Sequence, residues 1–237
     1  MTRKEDIKLE ELAQAGVHFG HQTKRWHPKM KPFIFGSKNN IHILDLEQTQ
    51  VMLKEAAKFL EDQAAAGKTV LFLGTKKQVK EAVKNAALKS NSAYIIERWL
   101  GGTVTNFISI RNLIKRLKRL KDQRETGELK KYTKKEQLDF EKEIVRLEKL
   151  IGGIQELNNI PDVLVIIGVR EEKIALAEAV KRKIPIVALV DSNIDPTQID
   201  YAIPANDDGV KSVELITDYL AEAVKAGRDK QTVNPKK

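Results

Sequence analysis

The chain alternates between short, nearly all-apolar runs and longer stretches whose apolar residues fall three or four positions apart. Thr69–Gly74 (TVLFLG), Ala93–Glu97 (AYIIE), Asp162–Val169 (DVLVIIGV) and Ile184–Asp191 (IPIVALVD) are of the first kind. A strand that is apolar on both alternating faces has to be covered on both, which is the situation in a parallel sheet. Ile41–Leu46 (IHILDL) reads as a further strand. Helical spacing occupies residues 5–14, 47–66, 76–89, 171–183 and 209–226. The expected fold is α/β, a doubly wound and mostly parallel five-stranded sheet of flavodoxin or Rossmann type with right-handed crossovers.

The alternation breaks between residues 105 and 154. Ile110, Leu113, Leu117 and Leu120 repeat at intervals of 3, 4 and 3, and Phe140, Ile144, Leu147, Ile151 and Ile154 at 4, 3, 4 and 3. Each series is a heptad seam, so the insertion reads as an antiparallel coiled-coil hairpin turned near Gly127. A helix over 107–126 would reach about 30 Å. The chain therefore divides into an N-terminal helix and basic loop (1–40), an α/β domain (41–104 with 155–227), the inserted hairpin (105–154) and a flexible basic tail (228–237).

Charge changes this picture by its distribution. The 237 residues include 42 Lys and Arg against 33 Asp and Glu, a net +9. Residues 108–150 hold 14 basic and 8 acidic side chains, whereas residues 155–224 hold 6 and 13. Segregated positive charge on a projecting arm suits a polyanion. The absence of Cys excludes disulfides, cysteine zinc sites and thiol catalysis. No apolar run approaches the ~20 residues of a membrane span, and the charged start MTRKEDIKLEE lacks the apolar stretch of a secretory signal, so a cytoplasmic location is expected.

Residues 18–42 contain all four His and five Lys or Arg but no acid, interspersed with Pro28, Pro32, Gly36 and Asn39-Asn40, and read as a loop or bent extended stretch. Lys24, Arg25, Lys29 and Lys31 are candidate phosphate contacts. Trp26 either stacks on a base or anchors the loop. Arg111, Lys115, Arg116 and Lys118 on the first hairpin helix are further RNA candidates, as are Arg98 and Asn106 at the hinge, where Trp99 and Phe107 serve packing. His18, His21, His27 and His42, spaced 3, 6 and 15 apart, match no metal pattern, and no metal or cofactor is expected. Gly67-Lys68-Thr69 resembles a phosphate loop, but Asp62 stands where the earlier Gly is needed and the helix precedes the motif. Asp191, Asp195, Asp200, Asp207 and Asp208 follow the last expected strand. They could serve Mg²⁺-dependent chemistry there, but turn opening by Asp195-Pro196 and capping of the final helix by Asp207 or Asp208 is the favoured reading. No catalytic residue is assigned.

Four blocks carry a resemblance: GVHFGHQTKRWHPKMKPFIFGSKNNIHILDLEQT (Gly16–Thr49), RWLGGTVTNF (Arg98–Phe107), PDVLVIIGVREEKIALAEA (Pro161–Ala179) and VDSNIDPTQIDYAIPANDD (Val190–Asp208). In order and over almost the whole chain, they resemble the ribosomal protein S-two family of the small subunit, of bacterial or organellar type. Ala205, where Gly is expected, and His27, where Asn is more usual, are mild departures. The resemblance implies a flavodoxin-like domain with an inserted coiled-coil hairpin. It also implies binding to small-subunit ribosomal RNA at the head–body junction and help in recruiting the messenger-binding ribosomal protein S-one. It implies neither catalysis nor a homo-oligomer. From the residues alone, two rivals stand beside it: a nucleotide- or sugar-phosphate-processing enzyme with a basic lid, and a scaffold whose acidic 155–224 face, including Asp207 and Asp208, docks a basic protein.

Overall fold

The computed structural model describes residues 7–233. Helix α1 (Leu9–Gln14) leads into three short strands, β1 (Phe19–Gln22), β2 (Ile34–Lys38) and β3 (Ile41–Leu44), paired antiparallel in the order β1-β3-β2. Asn39 and Asn40 have φ of 51° and 60°, and Lys38 pairs with Ile41 across them. Two consecutive left-handed residues make a two-residue hairpin whose twist matches that of the strands. The segment expected as a loop is therefore a small sheet, and IHILDL belongs to it instead of the parallel sheet. The first helix starts at Leu9, and residues 5 and 6 of the expected span lie outside the described residues.

Next come α2 (Leu46–Ala65), β4 (Val70–Leu73), α3 (Lys80–Lys89), β5 (Ala93–Ile95), α4 (Phe107–Glu125) and α5 (Lys134–Ile151). They are followed by β6 (Val163–Ile166), α6 (Lys173–Arg182), β7 (Ile186–Val190), β8 (Tyr201–Pro204) and α7 (Val210–Val233). The main sheet has five strands in the order β5-β4-β6-β7-β8, every neighbouring pair parallel. Its fifth strand is β8, not the IHILDL segment. The link from β7 to β8 contains only a 3-10 turn at Pro196–Gln198, opened by the Asp195 side chain accepting from Thr197 N. A crossover without a helix leaves no amphipathic stretch to announce the strand after it.

Successive strand residues point to opposite faces. Val70, Phe72, Val163, Val165, Val187, Leu189 and Ile203 pack with α2, α3 and α7, while Leu71, Leu73, Leu164, Ile166, Ile186 and Ala188 join the core that holds α4, α5 and α6. That second core also takes in Met30 and Leu44 from the N-terminal sheet region. α7 runs on through residues 228–233, which were expected as a flexible tail, and the last four residues lie outside the described range.

Between β5 and β6, α4 buries Ile110, Ile114, Leu117 and Leu120, and α5 buries Ile144, Leu147 and Ile151. Ile114 takes the central place expected for Leu113, which is only partly buried. Gly127 (φ 75°) follows the end of α4, and a reciprocal Thr133–Glu136 capping box starts α5. Ion pairs Arg124–Glu141 (3.6 Å) and Lys121–Glu148 (2.7 Å) step along the two helices in opposite chain directions, and Lys118–Glu156 (3.3 Å) continues the series past the end of α5.

Candidate nucleic-acid interface

The turn between β5 and α4 is held by one carboxylate. Glu178 sits on the inner side of α6 beside Ala175 and Ala179, so its charge is drawn into the core. Its Oε1 accepts from Gly102 N (2.7 Å) and Trp99 Nε1 (3.3 Å), and its Oε2 from Val104 N (3.0 Å), Thr105 N (3.1 Å) and Thr105 Oγ1 (3.1 Å). Burial works against the charge, but the backbone donors at Gly102, Val104 and Thr105 outweigh it and hold the carboxyl below its usual range. Arg182, one turn further along α6, donates to Thr105 O (2.7 Å). Gly102, at φ 90°, adopts a conformation that a side chain would disfavour. Trp99 is buried and Phe107 is packed on the same core, as their hinge role required.

A second polar cluster lies where β7 and β8 end. Asp191 accepts from the His21 ring (3.0 Å) and from the Ser192 hydroxyl (3.1 Å), and His21 also lies 3.4 Å from Asp208. Lys76, in the turn after β4, bonds Asp207 (3.0 Å) and Asp208. Backbone donors tie the N-terminal segment to the same place: His21 N donates to Ser192 Oγ and His27 N to Ser192 O, both at 2.8 Å. The hydrogen bond to Asp191 raises the His21 pKa. Burial, reinforced by the Asp191 charge, pushes Asp207 up to about 6 against the pull of Lys76. Asp207 is instead engaged by Lys76, and it is too buried to dock a partner. Asn206 accepts from Asp208 N and Gly209 N and so orders the turn that leads into α7.

The histidines do not form one centre. His18 packs on Phe19, His42 on Trp26, and His27 approaches Asp195 at 3.9 Å. Among the described residues only His21 joins a group, with Asp191 and Asp208, whose ligand atoms all lie within 4.8 Å of one another. Positive charge already reaches that group through Lys76.

The candidate RNA residues divide by their partners. Lys24, Arg25 and Lys31 are exposed, as are Arg98, Arg111 and Lys115. Lys29, by contrast, is bound to Asp195 (2.8 Å) and Thr197 (3.1 Å). Arg116 is clamped by Glu143 through two bonds of 2.6 and 2.8 Å, and Lys118 pairs with Glu156. Asn106 donates to Ser109 Oγ at the start of α4. Trp26 rests on His42 (5.4 Å between rings) and keeps 38% of its surface exposed. Met30, Phe33 and Ile34 root the N-terminal basic segment in the core that also roots Ile110 and Ile114 of α4.

A family-wide sequence profile described as "Ribosomal protein S2" matches residues 12–227. A curated relative, the small ribosomal subunit protein uS2 of Geotalea uraniireducens (strain Rf4), is 49% identical over 222 residues, 94% of this chain and 87% of its own length. The chain belongs to the ribosomal protein S2 family. It is of the bacterial type, a structural protein of the small ribosomal subunit acting in translation, not an enzyme. No helix among the described residues is long and apolar enough to cross a membrane.

In this ribosomal protein S2 the crevice at the sheet's carboxyl end holds internal contacts. In open α/β sheets this switch point, here between β4 and β6, is where enzymes hold ligands. In this chain Glu172 accepts from Thr75 N (2.9 Å) there, and Lys76 leaves it to bind Asp207 and Asp208. Internal partners thus take up Thr75 N and the Lys76 ammonium in this crevice. Sequence reasoning passed over Glu178, His21 and Lys76 as a working set. Its one available signal was a Glu on the apolar side of the helix that carries Ala175 and Ala179.

Proposed function

We propose that the protein binds small-subunit ribosomal RNA at the head–body junction through two cationic surfaces. One is the N-terminal segment with Lys24, Arg25 and Lys31. The other is α4 with Arg111 and Lys115, flanked by Arg98, the helix pair acting as a coiled-coil arm. The observation that carries this reading is that exposed cations from these distant stretches are rooted in one core on one face of the parallel sheet. Contacts of this kind go to phosphates and set position, with little sequence readout. Lys29, Arg116 and Lys118 contribute less, because each already has a carboxylate partner.

Equilibrium binding to small subunits stripped of this protein, measured over a range of salt, tests the assignment. Each neutralised phosphate adds about 0.7–0.9 to the slope of log K against log salt, so replacing Lys24, Arg25 and Lys31 by Ala should lower it by about 2–3. Lys29→Ala should leave it close to wild type. A triple variant with the full wild-type slope would remove these residues from the interface.

For recruitment of the messenger-binding protein S-one we propose a different surface. Phe35 is 82% exposed beside a groove floored by Leu9, Ala13 and Leu46 and edged by Glu10, Asp45 and Glu47. An exposed aromatic beside an apolar groove suits a protein contact. Phe35→Ala should reduce recovery of S-one with purified small subunits by about tenfold or more, the loss expected for one aromatic anchor. Undiminished recovery would place the contact elsewhere.

A further inference from the structure

The far end of the α4–α5 pair has a feature that phosphate binding does not use. Tyr132 stands in the connector just before α5, its ring meeting that of Phe140 edge-on at 5.1 Å. The backbone beneath it is fixed on both sides. Leu129 is buried, Tyr132 O accepts from Gln137 Nε2 (2.7 Å), and the Thr133–Glu136 capping box follows at once. The ring is nevertheless 36% exposed and walls a groove of ≈ 570 Å³ between the helices, floored by Leu113, Leu120 and Phe140. Lys115 and Arg119 stand on its rim, and no carboxylate lines it among the described residues. Arg116 is also there but is occupied by Glu143.

An apolar floor, a rigid aromatic wall and two exposed cations together suit a group that is flat, unsaturated and attached to negative charge. An RNA duplex cannot insert such a group, because its bases are stacked and paired. An unpaired nucleotide can, and stacking on aromatic side chains is how proteins hold splayed bases. Lys131 Nζ already lies 5.5 Å from the Tyr132 ring centre, so one face attracts a cation that could turn to a phosphate once a base arrives.

We propose that this groove receives one unpaired base of ribosomal RNA stacked on Tyr132, with the flanking phosphates at Lys115 and Arg119. The inference rests on the RNA-binding reading above and adds to it a single point of contact with a base.

The test uses the full-length protein with small subunits stripped of it. Tyr132→Leu should weaken binding about 10–100-fold, the usual loss for one stacked base, with an unchanged salt slope. Tyr132→Phe should restore wild-type affinity, since stacking needs the ring and not the hydroxyl. Ultraviolet irradiation of the wild-type complex should give an adduct joining a nucleotide to Tyr132. Equal affinity of Tyr132→Leu and wild type, at a normal salt slope, would overturn the stacked base and leave phosphate binding standing. So would a Tyr132 adduct to a neighbouring protein. Wild-type binding indifferent to salt would instead bring down the RNA reading itself.

Discussion

Replacing Glu178 with Ala is expected to destabilise the protein by about 3–5 kcal/mol, because a buried charged acceptor is lost and several donors are left unpaired. Five donors converge on this carboxylate, three of them backbone N–H groups within four residues of one another. Bonds to a charged acceptor contribute about 1.5–3 kcal/mol each, but they share one group and their sum overstates the loss. Glu178→Gln should cost nearly as much. Both oxygens accept, Oε1 from two donors and Oε2 from three, so whichever way the amide turns its NH₂ faces donors with another donor. The consequence is local before it is global. The turn at 102–105 launches α4, so its loosening should let the helix pair swing relative to the sheet. Urea unfolding would give the first quantity. Hydrogen exchange at Gly102, Val104 and Thr105 would give the second, and unchanged protection in Glu178→Gln would show that the carboxylate does not hold the hinge. The acid side of the profile carries the same signature. Glu178 has a folded pKa below its usual value, so its contribution is present above that value and is lost as pH falls through the lowered one.

Between about pH 4.5 and 7 stability should run the other way, falling as pH rises, as it does when folded groups hold protons more tightly than unfolded ones. Asp207 is the main cause. Its pKa rises from 3.8 to about 6 because burial and the Asp191 charge disfavour ionisation, and Lys76 only partly offsets them. An acid with a raised folded pKa stabilises while protonated, and this contribution is lost as pH climbs through the folded value. A shift of two units corresponds to about 3 kcal/mol. His21, raised by its bond to Asp191, has the same sign, since its charged form is favoured in the folded state and lost above its folded pKa. Glu172, raised by burial, also agrees. Surface carboxylates such as Glu143 and Glu148 are lowered by Arg116 and Lys121 and matter below this window. Denaturant titrations from pH 4.5 to 7.5 should therefore show a decline that Asp207→Asn largely abolishes. Superimposable profiles for the variant and wild type would mean that the cluster at the end of β7 and β8 does not govern it.

The four main strands and the two long helices were legible from spacing alone, because each has to bury a pattern that is local in the chain. Val163–Ile166 is apolar at every position and lies inside the sheet. Ile110, Leu117 and Leu120 repeat at helical intervals and form the seam of α4. The remaining strand shows where this reasoning stops. Ile41–Leu44 and Tyr201–Pro204 are both short and mostly apolar, and only the neighbour each one meets makes the first an antiparallel hairpin strand and the second the edge of the parallel sheet.

The polar site divides along the same line. The four resembling blocks pointed to the family, and charge segregation is what suits a polyanion, since both are properties of the chain as written. Which cations remain exposed and unpaired is a property of proximity. Lys29 meets Asp195 across 166 positions, Arg116 meets Glu143 across 27, and Glu178 gathers the hinge from 73 to 79 positions away. A hydropathy period records whether a residue is buried, because burial recurs with the geometry of its own helix or strand. It carries no record of which distant charge will lie within 3 Å, and that pairing settles whether a lysine is available to a phosphate.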